Sequence, residues 1–300
     1  YPLHEVAEPK GYEAITDVTF TLDAAGNITI TKQTTTGDVI VNGTKLTVTD
    51  DYAPAKVIFK KTDITGTKEV PNADLEITGT ETGSGNKIEP ITWTSDTDKK
   101  GHEVELKPGT YKLKETANPS GYEAITEVEF TVDADGKITV TDQTTTGDVE
   151  VVDGVVLVKD DYAPKSYNFK KTDITGTTEV ANAVLEITGR EEGKKTDITP
   201  IKWTSDTSTT GKEVDLRPGE YRLVEIAAPS GYEAITEVKF TVDENGNITV
   251  TEQSTTGEVE VVGTTVLIKD DNEPGDVIFS KIDIAGQEVV GAKMKITGRE

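Results

Sequence analysis

Apolar and polar residues alternate along short runs of this chain, and turn residues separate the runs. Runs rich in Thr, Val, Ile and Tyr with a period of two predict strands instead of helices. The stretch EVEFTVDADGKITVT (127–141) predicts two strands joined by a turn at Asp-Gly, which is a strong hairpin signal. The same pattern returns in TFTLDAAGNITIT and KFTVDENGNITVT. Because no convincing amphipathic helix occurs, the pattern predicts an all-β chain.

The sequence also repeats itself. GYEAIT begins at Gly11, Gly121 and Gly231, so each copy lies 110 residues after the last, and FKKTDITGT and WTSDT recur at the same interval. Seven or more short strands in each period predict one β-sandwich per repeat. We therefore expect the C-terminal part of a repeat at 1–53, complete repeats at 54–163 and 164–273, and the N-terminal part of a further repeat at 274–300.

The expected boundaries fall at Pro54, Pro164 and Pro274, in the texts DDYAP and DNEP. The next predicted strand begins within two or three residues of each proline, so the linkers are too short to act as flexible tethers. Modules joined in this way contact mainly their neighbours and form a rod. The neighbouring repeats of the same chain are therefore the first expected partners.

One lysine in each period follows two large apolar residues on the same face of a predicted strand. The neighbouring position holds Lys, Lys or Ser, a change typical of a solvent-facing site, so the lysine is expected to point into the core. The three sets are Val57, Phe59 and Lys61; Tyr167, Phe169 and Lys171; and Val277, Phe279 and Lys281.

Strand parity also selects one glutamate and one aspartate in each period for the inward face. The glutamate sets are Tyr111, Leu113 and Glu115; Tyr221, Leu223 and Glu225; and Tyr1, Leu3 and Glu5. The aspartate sets are Val156, Val158 and Asp160; Val266, Ile268 and Asp270; and Leu46, Val48 and Asp50. The second acid of each Asp-Asp pair is expected to point outward: Asp51, Asp161 and Asp271.

Three ionisable groups on the inward faces of one small sandwich need an explanation, because an unpaired buried charge is very costly. One interpretation is a buried Lys–Asp salt bridge with the glutamate as a further acceptor. The other is covalent. Burial favours a neutral amine, which is a nucleophile, and a protonated carboxyl, which is a better electrophile than a carboxylate. A neighbouring glutamate can move the protons as general acid and base, so that lysine and aspartate form an amide and release water.

At these residues the chain resembles the B-type (Cna B-like) repeat domains of the staphylococcal collagen adhesin and of Gram-positive pilins. YKLKETANPSGY and YRLVEIAAPSGY match the family's Y-x-L-x-E-x-x-x-P-x-GY motif, and FKKTD and FSKID match its reactive-lysine strand. KDDYAP is similar to the closing strand of a streptococcal fibronectin-binding-protein domain that was split into a peptide tag and its catcher. The resemblance covers the whole chain and implies tandem transthyretin-like or Ig-like β-sandwiches.

The resemblance implies one Lys–Asp isopeptide bond in each complete repeat, with a glutamate as proton shuttle. The implied sets are Lys61, Asp160 and Glu115, and Lys171, Asp270 and Glu225. In the incomplete repeats, Glu5 and Asp50 lack a lysine strand and Lys281 lacks both acids, so their expected partners lie outside this sequence. The alternative is a bond between two molecules, from Lys281 of one to Asp50 of the other.

The composition excludes some partners and cofactors. A net charge of −24, dispersed along the chain, argues against nucleic acid and anionic membrane as partners. No cysteine occurs, so either the protein is intracellular or something other than a disulfide staples it. The texts DADG and DENG lack the spaced acids of a calcium loop, and neither His4 nor His102 has a second ligand nearby by motif. We expect no metal and no cofactor.

Together these observations predict the stalk of a Gram-positive adhesin or fibrillar surface protein, extracellular and anchored to the cell wall. The reactive set would act once on its own chain, so the protein is not expected to be an enzyme. Host matrix or glycan would be bound through a head domain outside this sequence. Two alternatives stay open: repeated binding modules for a host glycoprotein or polysaccharide, which would act through avidity, and the shaft of a sortase-polymerised pilus.

Overall fold

The computed structural model describes residues 1–13, 17–34, 37–123, 125–145, 147–233, 237–254 and 257–298. The GYEAIT and TTG motifs therefore lie partly outside the described residues. Across these ranges the chain forms strands and turns with no helix, so the prediction of an all-β chain is confirmed. The described residues contain no helix that is long and apolar enough to cross a membrane.

The segment before the first complete repeat forms short strands in three small sheets. They are β1 (Pro2–Leu3), β2 (Tyr12–Glu13), β3 (Asp17–Leu22), β4 (Ile28–Thr34), β5 (Asp38–Asn42), β6 (Lys45–Thr49) and β7 (Asp51–Tyr52). Most of their side chains are exposed or half-buried, because the strands that would face them do not occur in this sequence.

The first complete repeat is a sandwich of two sheets. Its strands are β8 (Ala55–Asp63), β9 (Asp74–Glu81), β10 (Ile91–Thr94), β11 (His102–Leu106), β12 (Gly109–Ala117), β13 (Tyr122–Glu123), β14 (Ile125–Val132), β15 (Ile138–Thr145), β16 (Asp148–Val152) and β17 (Val155–Tyr162). One sheet has the order β10-β9-β12-β14-β15. The other has the order β11-β8-β17-β13, with β16 also paired to β17.

The second complete repeat reproduces this arrangement, except that a single bridge between Tyr232 and Asn272 replaces the strand pair β13–β17. Its strands are β18 (Lys165–Asp173), β19 (Val184–Glu191), β20 (Ile201–Thr204), β21 (Lys212–Leu216), β22 (Gly219–Ala227), β23 (Glu237–Val242), β24 (Ile248–Ser254), β25 (Glu258–Val262) and β26 (Thr265–Asp270). The sheets have the orders β20-β19-β22-β23-β24 and β21-β18-β26-β25. The sequence repeat is therefore a repeat of the same topology.

The predicted hairpin at 127–141 is confirmed. Strands β14 and β15 pair antiparallel, and Val132 lies opposite Ile138 at the turn. The Asp133 carboxylate accepts hydrogen bonds from two backbone N–H groups of the turn, and Gly136 adopts a φ of 78° that favours glycine. The side-chain cap and the glycine together fix the register of the hairpin.

The alternating pattern fills the space between the two sheets. In the first repeat the largest fully buried side chains include Tyr111, Leu113, Ile77 and Phe130, and the second repeat has a matching cluster. The inward faces predicted for the lysine, glutamate and aspartate strands of both complete repeats are buried. The first and last strands of each repeat lie side by side and parallel, as the pairs β8–β17 and β18–β26.

The closing segment differs from the complete repeats. Its described residues form one isolated bridge but no strand, and the side chains of Val277 and Phe279 are 69% and 59% exposed. The predicted inward face is therefore not buried here. In the complete repeats this strand is covered by a last strand and a facing sheet, and their counterparts for the closing segment do not occur in the sequence.

Candidate cross-linking site

The candidate lysine and aspartate of the first repeat come from its first and last strands. In the parallel pair β8–β17, Lys61 lies opposite Val158, and Asp160 is two residues farther along on the same face. The long lysine side chain spans this diagonal, and its Nζ contacts Oδ1 of Asp160. Lys61 is 4% exposed and Asp160 is fully buried. The sheet register therefore places the amine directly on the carboxyl.

The glutamate comes from the opposite sheet. Glu115 lies on β12, the central strand, and continues the buried face that begins with Tyr111 and Leu113. Its Oε2 is 3.1 Å from the Lys61 Nζ, and Glu115 is 5% exposed. The base and the two acids come from three strands that are distant in sequence. The sandwich buries all three side chains in one core.

The second repeat brings together the corresponding three residues. Lys171 on β18 contacts Oδ1 of Asp270 on β26, and its Nζ is 3.3 Å from Oε2 of Glu225 on β22. All three are buried. Both lysine–aspartate pairs are 99 residues apart in sequence. The same geometry therefore occurs in both complete repeats.

Burial acts strongly on the aspartates. Removal from water raises the pKa of Asp160 to about 7, against the opposing effect of the Lys61 ammonium. Burial also raises the pKa of Asp270. A carboxyl with a raised pKa holds its proton at higher pH, because the low-dielectric core disfavours its charged form. Burial therefore shifts each aspartate towards its protonated form.

Aromatic side chains wall the site, and sequence reasoning did not assign them to it. The Phe59 ring lies 5.6 Å from Trp93 and 5.8 Å from Phe130, measured between ring centroids. Trp93 in turn stacks on His102 at 4.7 Å. Phe169 and Trp203 make the same contact in the second repeat, at 5.9 Å. The recurrence of WTSDT was the available signal, but only the folded sheets show which residue the tryptophan covers.

An outward direction, as predicted for the second acid of each Asp-Asp pair, does not always leave the side chain exposed. Asp161 points out of its own sandwich, yet it is only 4% exposed because side chains of the following repeat cover it. Asp51 is half-buried, and Asp271 is exposed as expected. Parity gives the direction of a side chain relative to its own sheet, and it carries no information about a neighbouring domain.

The structure does not assemble a site from the candidate residues of the incomplete repeats. Glu5 and Asp50 are half-buried in the opening segment, and Lys281 is exposed in the closing one. The alternative bond from Lys281 of one molecule to Asp50 of another stays a prediction. The triad forms where first strand, last strand and facing sheet are all present.

Three solved structures that match this chain are a pilus adhesin, the TIE protein and an ancillary pilin. The pilus adhesin SpaC from Lactobacillus rhamnosus GG, in its open conformation, is 18% identical over 87% of this chain and 34% of its own, with a TM-score of 0.34. The Bacillus anthracis TIE protein is 16% identical over 85% and 42%, with a TM-score of 0.30. A streptococcal ancillary pilin is 16% identical over 92% and 75%, with a TM-score of 0.27.

This chain spans about a third of the length of the SpaC adhesin that it matches. No curated protein matches its sequence. A family model does: the SpaA prealbumin-like fold domain matches residues 55–146 and again residues 165–256, in the two complete repeats. The resemblance to B-type repeats of Gram-positive adhesins and pilins is thereby confirmed. With more than half of its residues matched in two tandem copies, the chain belongs to the SpaA prealbumin-like fold domain family.

Proposed function

We propose that this chain is part of the structural stalk of a Gram-positive surface adhesin or fibrillar surface protein, and that each complete repeat staples itself with a Lys–Asp amide. The observation that carries the proposal is the buried contact of Lys61 Nζ with the Asp160 carboxyl, with Glu115 at 3.1 Å, repeated at Lys171. A lysine and two acids sealed together in a core are poised for proton transfer and acylation.

The reaction follows from the positions of the atoms. Glu115 accepts a proton from the Lys61 ammonium, and the neutral Nζ attacks Cγ of protonated Asp160. As the N–C bond forms, Glu115 gives its proton to the departing hydroxyl, which leaves as water when the C–O bond breaks. Glu115 then takes up the second proton that Nζ loses, so the products are a neutral amide, one water and a protonated Glu115. A pocket bordered by Lys61, Trp93 and Ser95 opens beside the site and offers the water a route to solvent. Both buried charges disappear in the product, which removes their desolvation cost.

The amide would change the stability of each module. It would close a loop of 99 positions, and the chain-entropy model assigns a cross-link of that span about 4 to 5 kcal/mol. A pull on the two ends of a repeat would pass from first strand to last through the amide, so the intervening strands would carry no load. An amide also resists reduction, which suits a chain without cysteine. These properties are those of a stalk on the outer surface of a cell.

The test is the intact mass of the 300-residue chain after purification. Two amides predict a mass lower by two waters than the sequence requires, and tryptic digestion should yield branched peptides that join the Lys61 and Asp160 segments and the Lys171 and Asp270 segments. An unmodified mass would overturn the cross-link while leaving the family assignment intact.

Variants assign the water loss to residues. Lys61→Met and Glu115→Gln should each restore one water, because the first removes the nucleophile and the second removes the proton acceptor. Lys60→Met is the matched control, since Lys60 is the adjacent residue on the other face of β8. If Lys60→Met restored a water and Lys61→Met did not, the assignment of the nucleophile would be wrong.

Binding and gel experiments on the same chain distinguish the stalk from the alternative functions. In the stalk, host matrix or glycan is bound through a head domain, and neither complete repeat binds it. Trp93, the residue best suited to stack on a sugar, is instead packed between Phe59 and His102, which supports the stalk. Binding that scaled with the number of repeats would favour repeated binding modules. Covalent ladders that resist denaturing gels would favour a polymerised pilus shaft.

A further inference from the structure

The end of each repeat carries two acids fixed opposite each other by strand pairing. Glu123 on β13 is the register partner of Asp161 on β17. Glu13 and Asp51 form the same pair between β2 and β7. In the second complete repeat the Glu233 N–H donates to the Asp271 carbonyl at 2.9 Å. Like charges directly opposite each other across strands are destabilising, so this arrangement calls for a cation between them.

The cation is supplied by the next repeat. Arg217 belongs to the second complete repeat, and its Nη2 lies 3.0 Å from Oε2 of Glu123 in the first. Its Nε donates to the Tyr162 carbonyl at 2.7 Å and lies 3.9 Å from the Asp161 carboxylate. Lys194 of the second repeat adds a contact of 2.8 Å to Asp161. The planar guanidinium fork thus engages both strands of the acidic end at once.

The preceding joint uses the same positions one period earlier. Lys107 is the residue 110 positions before Arg217, and its Nζ lies 2.6 Å from Asp51 and 3.8 Å from Glu13. Both bases directly precede a Pro-Gly pair in the sequence. The two joints therefore use the same donor position and the same acceptor positions in the repeat, although the donor is lysine in one joint and arginine in the other.

Each base is held in place by the core of its own repeat. The hydroxyl of Tyr221 donates to the Arg217 carbonyl at 2.8 Å, and the hydroxyl of Tyr111 donates to the Lys107 carbonyl at 2.6 Å. Both tyrosines are the first inward residues of the strand that also carries the glutamate of the buried triad. The base therefore leaves a rigid strand at a fixed point.

We propose that the Glu/Asp pair at the end of each repeat is a docking surface for the base that precedes Pro-Gly in the next repeat, and that this contact sets the angle between repeats. Glu233 and Asp271 form the equivalent surface of the second complete repeat, and the partner that fits it is a following repeat with Lys or Arg before Pro-Gly. Because the contact is ionic and partly exposed, salt loosens the joint without unfolding the repeats.

The test measures the distance between repeats in the full chain. Because the chain has no cysteine, Thr139→Cys and Thr249→Cys introduce two spin labels at equivalent exposed strand positions, one in each complete repeat. Double electron–electron resonance then gives the distribution of distances between them. We expect a narrow distribution at about 0.01 M salt and a distribution at least twice as wide at about 1 M, where the screening length falls roughly tenfold.

Arg217→Gln should give the wide distribution at both salt concentrations, while Arg222→Gln, which removes an exposed ion pair within one repeat, should not. The charge exchange Arg217→Glu with Glu123→Arg should narrow the distribution again. Circular dichroism confirms that each variant is folded. A distribution that is equally narrow in Arg217→Gln and in the unmodified chain would overturn the proposal, and so would one that ignores salt. Neither result bears on the Lys–Asp amides, which the intact mass reports separately.

Discussion

Two adjacent aspartates of the same strand have opposite surroundings. Asp160 faces the core, where Lys61 and Glu115 meet it with side chains that are 1% exposed or less. Asp161 faces the next repeat, where Arg217 and Lys194 reach it with side chains that are 24% and 29% exposed. The first cluster combines two acids with one base, and the second combines acids with two bases. The difference in solvent access decides what each can do, because a dry site favours neutral, reactive forms and a wet one keeps its ions.

Removing the base from the dry cluster should have the largest effect. In Lys61→Met the first complete repeat keeps its water and loses about 4 to 5 kcal/mol of unfolding free energy, the contribution of a cross-link of this span. Scanning calorimetry should show one transition at lower temperature, while the second repeat serves as an internal reference. Lys60→Met is the control. Unchanged melting of Lys61→Met would mean that its lysine carries no cross-link.

The raised pKa of Asp160 predicts a pH dependence in the same uncross-linked variant. Burial raises this pKa from 3.8 to about 7 although the Lys61 ammonium lowers it. Lys61→Met lacks that ammonium, so its folded state still holds a proton that the unfolded state releases. The resulting stability is complete below pH 3.8 and is lost as the pH rises towards 7, by roughly 1.4 kcal/mol per pH unit.

Urea unfolding of Lys61→Met between these pH values measures this slope. The double variant Lys61→Met with Asp160→Asn has the same shape at residue 160 and no titrating group, so its slope over this range should be nearly flat by comparison. Equal slopes in the two variants would assign the pH dependence to other acids.

Removing Arg217 from the partly exposed cluster around Asp161 should change stability much less. Arg217→Gln should lower the unfolding free energy of either complete repeat by under about 1 kcal/mol, because its ion pairs are partly exposed and screened. Its intact mass should match that of the unmodified chain. A loss as large as that of Lys61→Met would show that the joint supports folding and not only orientation.

The smallest effect is expected at Lys107. Its single ammonium makes one close contact, with Asp51, whereas Arg217 engages a carboxylate and a carbonyl together. Lys107→Gln should change the unfolding free energy by under about 0.5 kcal/mol. Denaturant titration of Lys107→Gln and Arg217→Gln shows which joint contributes more to the unfolding free energy. A larger loss at Lys107 would reverse it.

The sequence was sufficient for the inward lysine, glutamate and aspartate because the direction of a strand residue follows a period of two. Lys61, Glu115 and Asp160 each continue two apolar residues on one face, and the repeat supplies a second copy of each. The parallel pairing of β8 with β17 could not be predicted from that period alone, since it joins strands at opposite ends of the repeat. The resemblance to a known family supplied that step.

The joint escaped sequence reasoning for a different reason. Arg217 and Glu123 belong to different repeats, so no pattern within one repeat relates them. The available signals were a base before Pro108-Gly109 and before Pro218-Gly219, and a glutamate in each GYE, both at the 110-residue period. Those positions are recognisable as partners only when two sandwiches are placed end to end.

The parallel pairing of first and last strands also governs how far a repeat can lengthen. If a repeat without its amide unfolded under load, its 99 residues could extend to roughly 330 Å. The distance between a cell and whatever it holds would grow accordingly. With Lys61 joined to Asp160, those residues could not extend under load, and only the few residues between repeats could stretch. Such a chain would keep its reach constant, as a fixed-length spacer does and an elastic tether does not.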